Sequence, residues 1–129
     1  MKNILGTTEN LELYNKEGVR VYKFWTNSNG FSFESIYDSN GNTLTYKDSV
    51  GYSYERTYDS NGNTLIYKDS KGYSHELTYD SDGNELTFKN SKGYWFEYTR
   101  DSNGNDLTYK DSDRFWYECT YDSNGKESL

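Results

Sequence analysis

The chain is 129 residues long and carries 15 Tyr, 6 Phe, 3 Trp, 11 Gly and one Cys, with no Ala, Gln or Pro. The best helix formers are missing and strand and turn formers abound, which excludes a helical bundle. A net charge of −7 with a pI near 4.7 excludes nucleic-acid binding by phosphate neutralisation, and a lone cysteine excludes an internal disulfide framework.

The mean hydropathy of −1.15 alone would suggest disorder. The aromatic residues recur so regularly that they can bury a large surface instead. No apolar run approaches membrane-spanning length, and Met1-Lys2-Asn3-Ile4-Leu5 runs straight into Gly6-Thr7-Thr8-Glu9. No signal peptide is read there, so a cytoplasmic location without a membrane partner is expected.

From the N-terminus, residues 1–29 read as a capping unit, with a weaker repeat running from Tyr14-Asn15-Lys16-Glu17-Gly18 through Val19 to Gly30 with two extra residues. A period of 21 residues follows, aligned on Gly30, Gly51, Gly72, Gly93 and Arg114. It gives repeats at 30–50, 51–71, 72–92 and 93–113 and a truncated unit at 114–129, all within one β-repeat domain.

Each unit predicts two strands. In the second repeat they are Tyr52–Tyr58 and Thr64–Lys68, both alternating between apolar and polar residues. Asn61-Gly62 between them predicts a two-residue type I′ turn, which needs positive φ at both positions. Ser49-Val50-Gly51 predicts a three-residue loop with Gly in the left-handed position. These turns pair Tyr58 with Leu65, Arg56 with Tyr67, Glu55 with Lys68 and Tyr46 with Tyr54. One face then collects the rings, including Tyr52, Tyr54, Tyr58 and Tyr67. The other collects Ser53, Glu55, Thr57, Thr64, Ile66 and Lys68. The fold class expected is all-β: an antiparallel β-hairpin meander of about eleven strands, forming a single sheet that is rolled or spiral, or one that covers its aromatic face in a homodimer.

The run Tyr58-Asp59-Ser60-Asn61-Gly62-Asn63-Thr64-Leu65 resembles the bacterial YD (RHS) repeat, whose consensus is similar to Tyr-Asp-x-x-Gly-Arg/Asn-x-Leu. The run recurs at Tyr37, Tyr79 and Tyr121, with Arg100 once in place of Tyr. The resemblance implies the strand architecture of a spiralling β-sheet shell; encapsulation of a toxin, which in that family takes far larger chains, is not implied here. The 21-residue period is also similar to that of cell-wall-binding and clostridial-toxin repeats, which bind choline or glycans. Trp95-Phe96 and Trp116-Tyr117 echo their aromatic clusters.

Asp38-Ser39-Asn40-Gly41-Asn42 matches the opening of a calcium loop, but its Gly is fourth and its twelfth residue is Ser49, so a turn without metal is expected. His75 and Cys119 occupy ladder positions two repeats apart and make no catalytic pair. Function is therefore expected at departures from the repeat. Trp95 and Trp116 replace Ser on the polar face, with Lys110 between them, and Arg114 replaces Gly. A second candidate is an acidic edge of Asp38, Asp59, Asp80, Asp101 and Asp122. The expectation is a non-enzymatic protein without cofactor that binds a protein partner. Its sharpest form is a small phage-type, anti-CRISPR-like inhibitor that occupies the basic surface of a nucleic-acid-handling enzyme. A glycan-binding module and a self-assembling structural repeat are the alternatives.

Overall fold

The computed structural model describes residues 9–128. It holds strands β1 (Glu9–Tyr14), β2 (Arg20–Thr26), β3 (Ser32–Tyr37), β4 (Thr43–Asp48), β5 (Ser53–Tyr58) and β6 (Thr64–Asp69). These are followed by β7 (Ser74–Tyr79), β8 (Glu85–Asn90), β9 (Trp95–Arg100), β10 (Asp106–Asp111), β11 (Trp116–Glu118), β12 (Thr120–Tyr121) and β13 (Glu127–Ser128). Strands β1 to β11 form one antiparallel sheet in chain order, not closed into a barrel, and β12 pairs with β13 separately. The all-β hairpin meander is thus the observed fold. Packing divides the chain after Gly72 into two halves, each described by itself below.

The pairing registers inside the hairpins are those expected: Glu55 with Lys68, Arg56 with Tyr67, and Tyr46 with Tyr54. The turn that sets the first two is different. Asp59 N–H donates to Asn63 O at 2.9 Å and Gly62 N–H to Asp59 O at 3.1 Å, which closes a three-residue loop. Gly62 has φ +85°, whereas Asn61 is not among the residues with positive φ. The expected type I′ turn is therefore corrected to the same loop seen at Asp48–Tyr52, where Asp48 N–H meets Tyr52 O at 2.9 Å.

A bulge takes up the extra loop residue. Tyr58 pairs with Thr64 and Thr57 with Ile66, so Leu65 is skipped. Leu44, Leu86 and Leu107 are skipped in the same way. Thr64 thus lies opposite Tyr58, not with the polar residues as expected. The longer loop and the bulge cancel, which is why the register further along the strands agrees with the two-residue reading.

The alternation separates two faces. In β5, Tyr54, Arg56 and Tyr58 are half-buried while Glu55 and Thr57 are exposed. On the aromatic face of the N-terminal half the rings pack in a row across the strands. Trp25 lies 5.8 Å from Phe33, which lies 5.6 Å from Tyr46; Tyr46 stacks on Tyr54 at 5.3 Å and Tyr54 on Tyr67 at 5.7 Å. The C-terminal half repeats the row through His75, Phe88, Phe96, Tyr109 and Tyr117. His75 is therefore a ladder residue, 5.5 Å from Phe88.

Two stitches tie successive hairpins. The tyrosine of the Tyr-Asp pair reaches back to a backbone carbonyl fifteen residues earlier: Tyr58 Oη donates to Thr43 O at 2.7 Å, and Tyr121 Oη to Asp106 O at 2.8 Å. Arg100 replaces the tyrosine and does the same through Nη1 to Glu85 O. At the opposite strand ends, Ser70 N–H donates to Ser53 O at 2.9 Å while Ser70 Oγ accepts from Ser53 N–H at 2.9 Å. Ser49, Ser91 and Ser112 repeat this bidentate contact on Ser32, Ser74 and Trp95. One layer of sheet results. Among the described residues Thr26 and Ser35 are buried and no hydrophobic side chain is.

Candidate functional site

The Asp positions of the predicted acidic edge all lie in turns. Asp59 Oδ1 accepts the N–H groups of Asn61 and Asn63, both at 2.9 Å, and Oδ2 accepts Asn63 Nδ2 at 3.1 Å. Asp38, Asp80 and Asp101 do the same. The backbone N–H of the residue four positions on holds the carboxyls of Asp59, Asp80 and Asp101 below their ordinary range. For Asp38 burial pulls upward, but the combined hydrogen bonds from Asn42, Asn40 and Gly41 still lower it. Asp122 closes the β12–β13 hairpin and so stands outside the eleven-stranded sheet. The edge is acidic, and its charge is spent first on ordering the turns.

The aromatic face carries cations that residue counting missed. Arg56 lies 5.0 Å from the Tyr54 ring centre and 5.4 Å from that of Tyr67. Arg20 covers Tyr37 at 4.8 Å and Arg100 covers Tyr98 at 4.4 Å. The signal was in the sequence: Arg56 occupies the alternating position between Tyr54 and Tyr58. Such guanidinium–ring contacts let a polar side chain shield an apolar face that no second layer covers.

The tryptophan candidates separate. Trp116 lies opposite Lys110 across β10–β11 and is 67% exposed. Trp95 lies opposite Lys89, is half-buried, and its N–H donates to Ser112 Oγ at 3.2 Å. Lys110 does not reach out between the rings; its Nζ pairs with Glu97 at 3.2 Å. Arg114 is exposed, in the turn before β11, at φ +68°. Phe115, beside it, is 59% exposed.

Trp116 and Lys110 line a trough of about 450 Å³ in the C-terminal half, together with Glu97, Thr99, Thr108 and Glu118. Three repeats earlier, a trough of about 560 Å³ in the N-terminal half is lined by Glu34, Ile36, Thr45, Lys47, Ser53 and Glu55, the residues at equivalent positions. Its ion pair, Lys47–Glu34, closes at 2.9 Å, and the Lys47 hydrogen bond holds the Glu34 carboxyl below its usual range. Among the positions that line both, Ile36 becomes Thr99 and Ser53 becomes Trp116, while Lys68, Asp69 and Ser70 line the N-terminal trough alone.

Tyr109 and Tyr117 also line the second trough. Burial, then hydrogen bonds with Tyr94 and to Asp111, raise the Tyr109 phenol. Burial, then the Asp106 carboxylate 2.9 Å away, pushes Tyr117 up to about 12. These phenols stay neutral and act as hydrogen-bonding rings. Cys119 falls between β11 and β12, its N–H donating to Leu107 O at 2.8 Å, and burial raises its thiol.

No protein-family profile and no curated protein matches the chain. Solved structures do. The crystal structure of TcdB2-TccC3-Cdc42 superposes with a TM-score of 0.57 at 16% identity, and that of TcdB2-TccC3-TEV with 0.56 at 18%. The Photorhabdus luminescens Tc holotoxin pore, with the mutation TccC3-D651A, gives 0.56 at 16%. Between 92% and 93% of the chain is covered, but only 6–7% of each toxin chain, so the chain spans a small fraction of their length. Those toxin chains contain YD/RHS repeats, and the likeness expected from the Tyr-Asp runs holds at the level of fold.

Proposed function

We propose that the chain is a non-enzymatic β-hairpin repeat module that works by binding a protein partner. The observation that carries this reading is the single layer: a sheet stacks rings across one face, yet no described hydrophobic side chain is buried. Layered folds bury such a face against a second element, and a partner protein supplies it here. In the sharper version the partner is a basic, nucleic-acid-handling enzyme and the chain is its phage-type inhibitor. The net charge of −7 and turn carboxylates held ionised by their hydrogen bonds support that version.

Immobilised protein loaded with a lysate at low salt, with and without competitor DNA, tests both levels. Basic proteins retained, displaced by the DNA and released steeply as salt rises are expected. A partner that stays bound at high salt refutes the inhibitor version and keeps protein binding. Failure to retain any protein refutes protein binding itself.

A structural repeat is the second reading. It is favoured by the superposition of nearly the whole chain on a small part of large toxin chains. Sedimentation that shows concentration-dependent assembly, with no partner retained, supports it.

A further inference from the structure

The tripeptide Ser-Asn-Gly occurs five times, around Asn29, Asn40, Asn61, Asn103 and Asn124. Asparagine before glycine is open to deamidation, because the glycine has no Cβ to hinder attack through its nitrogen. That nitrogen gives its proton to base and attacks the asparagine Cγ. The N–Cγ bond forms, the Cγ–Nδ2 bond breaks and ammonia leaves, which closes a five-membered succinimide. Water opens that ring at either carbonyl, giving aspartate or, with one extra backbone carbon, isoaspartate. The reacting groups and the residue before them are the same in every copy. What differs is the residue after the glycine and the surrounding fold.

All five asparagines are exposed to water. The three-residue loop nevertheless opposes the reaction. Gly41, Gly62 and Gly104 donate their N–H groups to the carbonyls of Asp38, Asp59 and Asp101 at 3.0, 3.1 and 3.1 Å. A nitrogen held in this way keeps its proton, so the loop must open before it can attack. In each of these loops the aspartate carboxylate also takes two backbone N–H groups and the Nδ2 of the asparagine after the glycine. Such charge-assisted bonds are the stronger kind.

Two loops are clamped less. Residues 31 and 126 are Phe and Lys, so neither supplies the Nδ2 bond. In the first, Asn27 stands in place of the aspartate, and Gly30 N–H reaches its carbonyl at 3.3 Å. The neutral Asn27 Oδ1 takes the N–H groups of Asn29 and Phe31 at 2.9 and 3.0 Å. That loop is still anchored by β2 and β3, seven and six residues long. The Asn124 loop closes β12–β13, where Thr120 pairs with Ser128 and Tyr121 with Glu127. A hairpin of two-residue strands opens at low free energy.

We infer that Asn124 is a self-modifying deamidation site, and that the loops at Asn40, Asn61 and Asn103 protect the same dipeptide. The third repeat shows what an aspartate product does. It carries Asp82 before Gly83, and Asp80 Oδ1 still takes the N–H groups of Asp82 and Asn84 at 2.9 and 2.8 Å. Aspartate therefore fits the loop and adds a negative charge. Isoaspartate lengthens the loop backbone, moves the N–H groups off Asp122 and releases the β12–β13 hairpin. The inference rests on the loops and stands independently of the protein-binding reading.

Incubation of the full chain at mildly alkaline pH, with each site followed by peptide mapping and mass spectrometry, provides the test. Asn124 is expected to convert first and Asn29 next. Asn40, Asn61 and Asn103 are expected to lag Asn124 by about tenfold or more, each tenfold being about 1.4 kcal/mol of loop opening. In concentrated urea the five rates are expected to converge. Lys126→Asn, which supplies the missing Nδ2, is expected to slow Asn124. Asp59→Ala is expected to speed Asn61 while Asn103 serves as the unchanged reference, with circular dichroism checking the fold. Equal rates at all five sites in the folded chain overturn the inference. So does an order that persists unchanged in urea, which would assign the difference to the residue after the glycine.

Discussion

Arg114 is the one non-glycine at positive φ among the described residues, and it stands where the other repeats have glycine. Left-handed backbone costs an L-residue about 1–2 kcal/mol, because Cβ crowds the neighbouring carbonyl oxygen. Glycine removes that clash but gives the unfolded chain extra freedom worth about 0.4–1 kcal/mol. The difference leaves Arg114→Gly stabilising by roughly 0.5–1 kcal/mol, or about 2–4 °C for a chain of this size. The exposed arginine side chain gives up little packing.

Gly93 supplies the reverse control. It sits at φ +89°, and a Cβ built there meets nothing within 4 Å, so Gly93→Ala isolates the backbone cost. By the same two effects it is expected to destabilise by roughly 0.5–1 kcal/mol. Urea unfolding followed by tryptophan fluorescence, with slopes compared between variants, measures both. If Gly93→Ala loses stability while Arg114→Gly gains none, the strain account of Arg114 is wrong. The arginine side chain would then hold a stabilising contact equal to the strain.

Other changes probe the stitches and the charges. Tyr58→Phe deletes the hydroxyl that meets Thr43 O at 2.7 Å and is expected to cost about 1 kcal/mol in the same assay. Arg100→Tyr, which restores the repeat, is expected to retain the stitch to Glu85 O, whereas Arg100→Ala loses it and lowers the unfolding midpoint. The folded-state carboxyls of Asp59, Asp80 and Asp101 titrate below the unfolded value, so their contribution is present above about pH 4 and is lost as pH falls through the folded values. Asp59→Asn keeps the acceptor oxygen, as Asn90 does naturally, and is expected to flatten part of that acid dependence in an unfolding series across pH. At the alkaline end, Tyr117 titrates near 12 in the folded state against about 10 unfolded, so its contribution holds below pH 10 and fades above it. Absorbance at alkaline pH is expected to show Tyr117, Tyr109 and Tyr67 ionising last; early ionisation of all the tyrosines would contradict the folded geometry.

The meander was legible because each hairpin repeats its alternation and its turn residues. Glu55 opposite Lys68 was legible even from the wrong turn, because the longer loop and the bulge at Leu65 cancel and leave Tyr54 and Arg56 on the ring side. What escaped was the local chemistry of the connection. Asn-Gly signals a two-residue turn when read as a dipeptide, but Asp59 ahead of it turns two backbone N–H groups inward and makes the loop one residue longer. Leu65 then leaves the ladder, which no count of apolar residues reveals. The serine stitches escaped for a different reason: Ser70 and Ser53 are seventeen residues apart and meet only once the sheet is assembled. The troughs required both the bulge and the register, so sequence could single out Trp116 and Lys110 but not the opening they share.

A repeat makes departures from its own pattern informative, because every other copy shows what folding alone requires. Ser32, Ser53 and Ser74 show that the polar face needs only a small side chain where Trp95 and Trp116 stand. Of these two, Trp95 follows the serines in taking the stitch from Ser112, so its position stays tied to the architecture. Trp116 leaves two-thirds of its surface to solvent, beside a turn whose arginine is held in a conformation the other repeats reserve for glycine. Neither feature improves the sheet: one exposes a large ring and the other strains the backbone. Side chains that cost stability in an otherwise regular array point to a surface shaped for contact. That places the search for a ligand on the polar face at β11, away from the aromatic ladder that defines the fold.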